Sequence, residues 1–320
     1  MSIYVLTAHE FNHNPQFGKL PLDSRFINSD RNYIYYLIDN KVPPILKTKS
    51  VLLEREIDSQ LADAGRDHFG EWSFLLAEAK HSFCSYPFFM ISSRFYQKNQ
   101  WLLTDLNTEW DRLFLLLKKY GWGYLPSYDR PLRWIDLEWK SKIRKASWNY
   151  TFFPFTEDTF RLVQDIYGVK IPEEYRAFSD LFCNYIGFQS REHLLQYVNF
   201  YMPLIHSVFN ENHQPKIDIS KYARKTGEFR NEKPFTFVLE WFSHLFFYKE
   251  MNKCFALHYD GYHEIDERNQ KFKMIHNFKI PLKLKIDRFC SWQWKKAKTE
   301  GCLAPIAPTV RMVKKILRNW

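Results

Sequence analysis

Apolar positions along this chain fall into short runs and into stripes of helical period, and the two alternate through the first half. Ile3-Tyr4-Val5-Leu6-Thr7 is β-branched and aromatic, which predicts an opening strand that stops at Ala8-His9-Glu10 before the polar stretch Asn12-His13-Asn14-Pro15. Trp72, Leu75, Leu76 and Ala79 recur at helical spacing between Glu71 and Lys80. The chain then passes Tyr86 into the run Pro87-Phe88-Phe89-Met90-Ile91, which ends abruptly in Ser92-Ser93-Arg94-Phe95-Tyr96. An uninterrupted apolar run of this length predicts a strand buried on both faces, as in the parallel sheet of an α/β protein. Such sheets bind ligands beyond the carboxyl ends of their strands, which puts Ser92, Ser93 and Arg94 at the mouth of a crevice.

Trp101 to Trp110 follows, and Leu113, Phe114, Leu116 and Leu117 continue a helix. Asp105-Leu106-Asn107 has the alternate spacing with which an extended segment aims two oxygens to one side, the pattern that holds a divalent cation and a nucleotide diphosphate. The same residues just before a helix also serve as its cap, and both readings stand. Pro126-Ser127-Tyr128-Asp129-Arg130-Pro131 is a loop stiffened by prolines at both ends, and Trp134, Trp139 and Trp148 come soon after. Asp129, Arg130 and Trp134 thus offer an acceptor platform or else part of a packed lobe.

The second half reads as mostly helical. Asp180 stands just before the apolar stretch that ends at Phe188, and Ser190 with Glu192 caps a helix running past Tyr197, Phe200 and Tyr201. One helix is expected from Phe237 to Phe247, in which Glu240 and His244 share a face as a buried satisfied pair or as a functional pair at a cleft wall. His258 to His263 reads as a turn.

Composition narrows the function classes. The 320 residues are 45% hydrophobic and 18% aromatic, enough for a large core and for ring-stacking surfaces in a sugar-binding cleft. Five cysteines without CxxC spacing argue against a disulfide framework and a zinc site, which favours a cytoplasmic setting. No apolar segment reaches the roughly 20 residues of a membrane span, and the start of the sequence lacks the features of a signal peptide. Neither GxGxxG nor GxxxxGK[ST] occurs, so dinucleotide and P-loop binding are disfavoured.

The net charge of +10 is concentrated at one end. Residues 281–320 hold ten basic against two acidic residues, while the remainder holds 36 against 34. Interleaved with Phe289, Trp292, Trp294 and Trp320, this tail suits an anionic membrane surface, where each nearby Lys or Arg contributes about 1 kcal/mol. A solvated basic end is the alternative, and nucleic acid is disfavoured because no recognition motif accompanies the charge.

The order of these blocks resembles bacterial glycosyltransferase-like proteins of capsule and lipopolysaccharide gene clusters. That family opens on an I-Y-V-x-T-H strand, has an acidic helix and an H-Y-R-R-Y/F element closing a strand, and later shows an N-M-F-I-like strand and an S-E-R-L-like helix. The counterparts here are Ile3 to His9, Glu71 to Phe74, Ser92 to Tyr96, Asn184-Tyr185-Ile186 with Tyr197 to Phe209, and Leu239-Glu240-Trp241-Phe242. Ser92-Ser93, Phe95 and Trp241 depart from that pattern, so the family's substrate choice does not transfer.

The resemblance implies a GT-A-like α/β fold with a mixed, mostly parallel sheet flanked by helices and a helix-rich C-terminal half. It implies a nucleotide-sugar-binding lobe over 1–150, an acceptor-side helical lobe over 151–280 and the basic tail over 281–320. The implied activity is transfer of a sugar from a nucleotide-sugar donor to a lipid-linked or growing surface glycan, on the cytoplasmic face of a membrane that the tail contacts. Thr7, His9, Arg94, Tyr96 and Asp105 would meet the donor, with Mn or Mg at Asp105. Asp129, Arg130 and Trp134 would meet the acceptor, and Asp180 or Glu240 would take its proton. A non-catalytic binding or assembly protein with the same fold is the competing expectation.

Overall fold

The computed structural model describes residues 1–7, 31–38, 42, 46–64, 68–92, 95, 106–125, 157–168, 185–219, 234–243, 245–250, 253–258, 261–266 and 271–278. Nine strands form one sheet: β1 Ser2–Thr7, β2 Tyr33–Leu37, β3 Ser50–Leu53, β4 Phe88–Ser92, β5 Trp122–Tyr124, β6 Ile186–Phe188, β7 Lys253–His258, β8 Gly261–Asp266 and β9 Lys271–Asn277. Their spatial order is β3-β2-β1-β4-β6-β5-β7-β8-β9. Parallel pairing joins β1 to β2 and β4, β2 to β3, and β5 to β7, so β6 and β8 run against the other seven. The protein is therefore α/β with a mixed sheet. Strands from both sides of residue 150 interleave in that sheet, since β6 lies between β4 and β5.

All five residues of β4 are buried, as the uninterrupted apolar run requires of a strand covered on both faces. The sheet's first face carries Tyr4, Leu6, Tyr36 and Phe88, in the registers Leu6↔Tyr36 and Ser2↔Phe88. Helices α1 Glu54–Ile57, α2 Ser59–Ala64 and α3 Trp72–His81 cover one end of this face. Phe74 of α3 lies 4.9 Å from Tyr36 and 5.3 Å from Tyr4, ring centre to ring centre. Burying such a ring stabilises the fold by about 1.5–3 kcal/mol. The second face carries Phe89, which meets Trp110 and Phe114 of α4 (Leu106–Tyr120) at 5.5 and 5.1 Å.

Helix α5 spans Glu157–Tyr167 and α6 spans Arg191–Val208. Ser190 caps α6 as its sequence predicts: its hydroxyl oxygen accepts the His193 backbone N–H. Two differences from expectation follow. The single helix over 237–247 is instead α7 Pro234–Trp241 and α8 Leu245–Lys249, broken at Phe242-Ser243. The carbonyls exposed by that break are taken by tyrosine hydroxyls, which makes the interruption tolerable in an otherwise apolar segment. The described residues after 250 form strands β7, β8 and β9, paired antiparallel, so His258 and Gly261 to His263, read as part of a turn, lie in strands, while 259–260 lie outside the described residues.

Candidate active site at the carboxyl edge of the sheet

The chain steps from β1 to β2 to β3 in one direction and then places β4 on the other side of β1. The loops leaving β1 and β4 therefore part in opposite directions, the topology at which open α/β sheets form a ligand crevice. Register fixes the edge: Thr7 pairs with Leu37 and Leu6 with Ser92, so three parallel strands end side by side. Ser92 is buried there at 3% exposure.

Two contacts draw the later strands to the same edge. Phe95, three positions beyond Ser92, is buried and meets Tyr185 edge-on at 5.5 Å. The Tyr185 carbonyl in turn accepts the Leu125 N–H at 2.8 Å, just past β5. Because β6 is antiparallel to β4 and β5, its amino end lies where theirs are carboxyl. The segments after β1, β4 and β5 and before β6 thus all depart from one edge.

The predicted site residues map onto those segments by chain position. Thr7 ends β1. His9 follows it, Arg94, Tyr96 and Asp105 follow β4, Asp129, Arg130 and Trp134 follow β5, and Asp180 precedes β6; all eight lie outside the described residues. Glu240 belongs to α7, far in sequence from any of these strand ends. The turn after α7 nevertheless returns to the edge, since the Tyr124 hydroxyl at the end of β5 donates to the Ser243 carbonyl at 2.8 Å. Asn107 falls in the first turn of α4, so the alternation of an extended segment does not apply to it. That difference removes the spacing argument that joined it to Asp105.

Three tyrosines form a feature that sequence reasoning missed. Tyr201 of α6 donates towards both the Phe242 and Ser243 carbonyls at 2.6 and 2.8 Å and accepts the Phe246 N–H at 3.1 Å. Tyr197 stands 3.4 Å from the Ser243 carbonyl. Burial pushes the Tyr201 hydroxyl well above its ordinary range, which keeps it a donor at any physiological pH. The i,i+4 spacing of the two tyrosines was visible in the sequence, but their target, a main-chain turn, was not.

Two buried acidic side chains sit elsewhere and are structural. Glu78 is fully buried and accepts the Phe83 and Cys84 N–H groups at 2.7 and 2.8 Å and the Tyr86 hydroxyl at 2.8 Å. It ties the end of α3 to the segment entering β4. Asp58 caps the start of α2 by accepting the Leu61 N–H and meets Lys80 and His81 at 2.6 and 2.9 Å. Burial opposes its charge, but those three hydrogen bonds hold its carboxyl well below the usual carboxylate range.

Among the described residues, no group of three or more His, Cys, Asp or Glu side chains could hold a metal ion, and no helix is long and apolar enough to cross a membrane. No family model, curated protein or solved structure matches the chain.

Proposed function

We propose that the chain is a GT-A-type glycosyltransferase that moves a sugar from a nucleotide-sugar donor to a lipid-linked or growing surface glycan. The observation that supports this most is the switch point between β1 and β4, whose strand ends lead directly into Thr7-Ala8-His9 and Ser92-Ser93-Arg94. Thr7 and His9 border the nucleotide, and Arg94 with Tyr96 receives the diphosphate, which a guanidinium can grip through two parallel hydrogen bonds. Asp129, Arg130 and Trp134 form the acceptor side.

In the reaction the acceptor hydroxyl oxygen bonds to the anomeric carbon as the bond from that carbon to the diphosphate oxygen breaks. The diphosphate leaves with the bonding electron pair, and Asp180 or Glu240 takes the hydroxyl proton. Stabilising the charge that develops on the diphosphate does most to lower the barrier to such a transfer, and that role falls to Arg94. Mn or Mg, where bound, would share that charge, and Asp105 is the position proposed to hold it. Residues 281–320 place the chain on an anionic cytoplasmic membrane surface.

Arg94→Ala tests this directly. Transfer and donor hydrolysis should fall by about 10²–10³ while the unfolding temperature stays that of the wild type. Unchanged turnover contradicts the assignment. Equal liposome sedimentation of the full chain and a chain ending at Ile280 contradicts the membrane role of the tail.

A further inference from the structure

Helix α7 is held at both ends by groups from other elements. At its start, the Thr236 hydroxyl donates to the His68 carbonyl at 2.9 Å, and Thr236 packs so closely on Gly70 that a Cβ there would meet its Oγ1 at 2.9 Å. At its end, the Phe242 carbonyl accepts the Leu245 N–H at 2.9 Å as well as the Tyr201 hydroxyl, so both of its lone pairs are used. The Ser243 carbonyl receives the Tyr124 hydroxyl at 2.8 Å from the sheet edge and, at 2.8 Å, shares the one Tyr201 hydroxyl hydrogen of α6 with the Phe242 carbonyl. Two neighbouring carbonyls are therefore fixed by phenols that are themselves immobilised, Tyr124 at 4.7 Å from the Phe247 ring and Tyr201 at 5.1 Å from Trp72.

The turn is buried, with Phe242 at 2% and Ser243 at 0% exposure, so its carbonyls take their donors from the protein and not from water. What the phenols add is a fixed position. Tyr124 is the last residue of β5, so its bond sets the distance between the carboxyl edge of the sheet and the α7 backbone that carries Glu240.

We propose that Tyr124 and Tyr201 are positioning residues for sugar transfer, fixing the end of α7, and hence Glu240, against the edge where the acceptor hydroxyl is activated. This rests on the transferase reading. The effect is on the geometry of proton removal and not on donor binding, which is assigned to the β1 and β4 ends.

The test uses the full chain with Tyr124→Phe, Tyr201→Phe and the double change, which keep the rings and remove the hydroxyls. Amide hydrogen exchange without substrate should rise over residues 238–247 and stay unchanged in β1, β2 and β4. With donor and acceptor, kcat should fall about tenfold or more at unchanged donor KM, since sub-ångström misplacement of a reacting group is costly. Tyr35→Phe, which removes a hydroxyl from the other face of the sheet, serves as the control and should leave kcat unaltered. Raised exchange with unchanged kcat overturns the proposal, and so does a loss of kcat accompanied by raised exchange throughout the sheet. If the double variant fails to fold, Tyr124→Phe alone decides, because it leaves every Tyr201 bond in place. A wild-type chain that neither transfers nor hydrolyses any donor overturns the transferase reading and this role with it; the exchange data, taken without substrate, keep that failure separate.

Discussion

Phe89 lies across Gly187 on the neighbouring antiparallel strand, so close that a Cβ added at Gly187 would stand 2.3 Å from the ring's Cε1. Phe255 covers Gly123 in the same way, at 2.2 Å from its Cζ, and Gly123 pairs with Gly187. Two adjacent glycines thus form a trough that two phenylalanines fill, with ring centres 6.4 Å apart. Helix α4 closes over both rings, over Phe89 through Trp110 and Phe114 and over Phe255 through Tyr120 at 5.9 Å. Gly187→Ala should destabilise the fold by about 1–3 kcal/mol or more, measured by urea unfolding. Gly168, at φ +63 with nothing within 4 Å of an added Cβ, is the contrast: Ala there should cost only the left-handed strain of about 1–2 kcal/mol.

Tyr35 is buried at 1% exposure, and its hydroxyl has no hydrogen-bond partner among the described residues. Burial, with a smaller contribution from Tyr33, pushes its pKa up to about 12. Tyr35→Phe should leave stability unchanged or raise it by about 1 kcal/mol, because folding no longer strips water from a hydroxyl that gains no partner among the described residues. A loss of stability in thermal unfolding contradicts this.

Glu78 presents the reverse case, a buried carboxylate with three donors. Glu78→Ala removes the acceptor of two part-buried amides and a phenol, and should cost about 1–3 kcal/mol in chemical denaturation. Glu78→Gln keeps one acceptor oxygen and should cost less.

Acid should weaken the fold in two stages. Burial lowers the pKa of His213 below its ordinary 6.5 and outweighs the attraction of Asp58, and burial likewise lowers that of His193. Between the folded and unfolded values the unfolded chain binds more protons, so stability falls as pH drops below about 6.5. Asp58, whose carboxyl is lowered from 3.8, contributes stability that is complete above about pH 4 and is lost as pH falls through its folded value. His213→Asn suits the φ of +58 at that position and removes one titration. Unfolding temperatures from pH 7.5 to 5.5 should fall less in this variant, and the loss below about pH 4 should persist.

The strands and helices legible in the sequence are those whose own residues decide them. The apolar content of Ile3 to Thr7 and of Phe88 to Ile91, the stripe of Trp72 and Leu75, and the Ser190 cap all report local burial or local hydrogen bonding. The break at Phe242-Ser243 was not legible, because its cause lies in Tyr124 and Tyr201, more than 40 positions away in the chain. Strand β9 was equally hidden, since it leaves Lys273, Met274, Ile275 and His276 exposed, whereas the buried run Cys254 to Leu257 of β7 carried a local signal that was not read. The strand ends that make the carboxyl edge a candidate site were legible through β1 and β4, whereas the return of α7 to that edge depended on tertiary contacts alone.

The central claim, that the β1 and β4 ends form a nucleotide-sugar site, is tested most directly by thermal unfolding of the full chain against nucleotide diphosphates and nucleotide-sugars, each with and without Mn or Mg. Ligand at 100 times its Kd stabilises by about 2.7 kcal/mol, a shift of several degrees. A shift selective for one nucleotide, and abolished by Arg94→Ala, is the expected result. Absence of any shift across the panel contradicts the claim and favours a binding or assembly protein built on the same sheet.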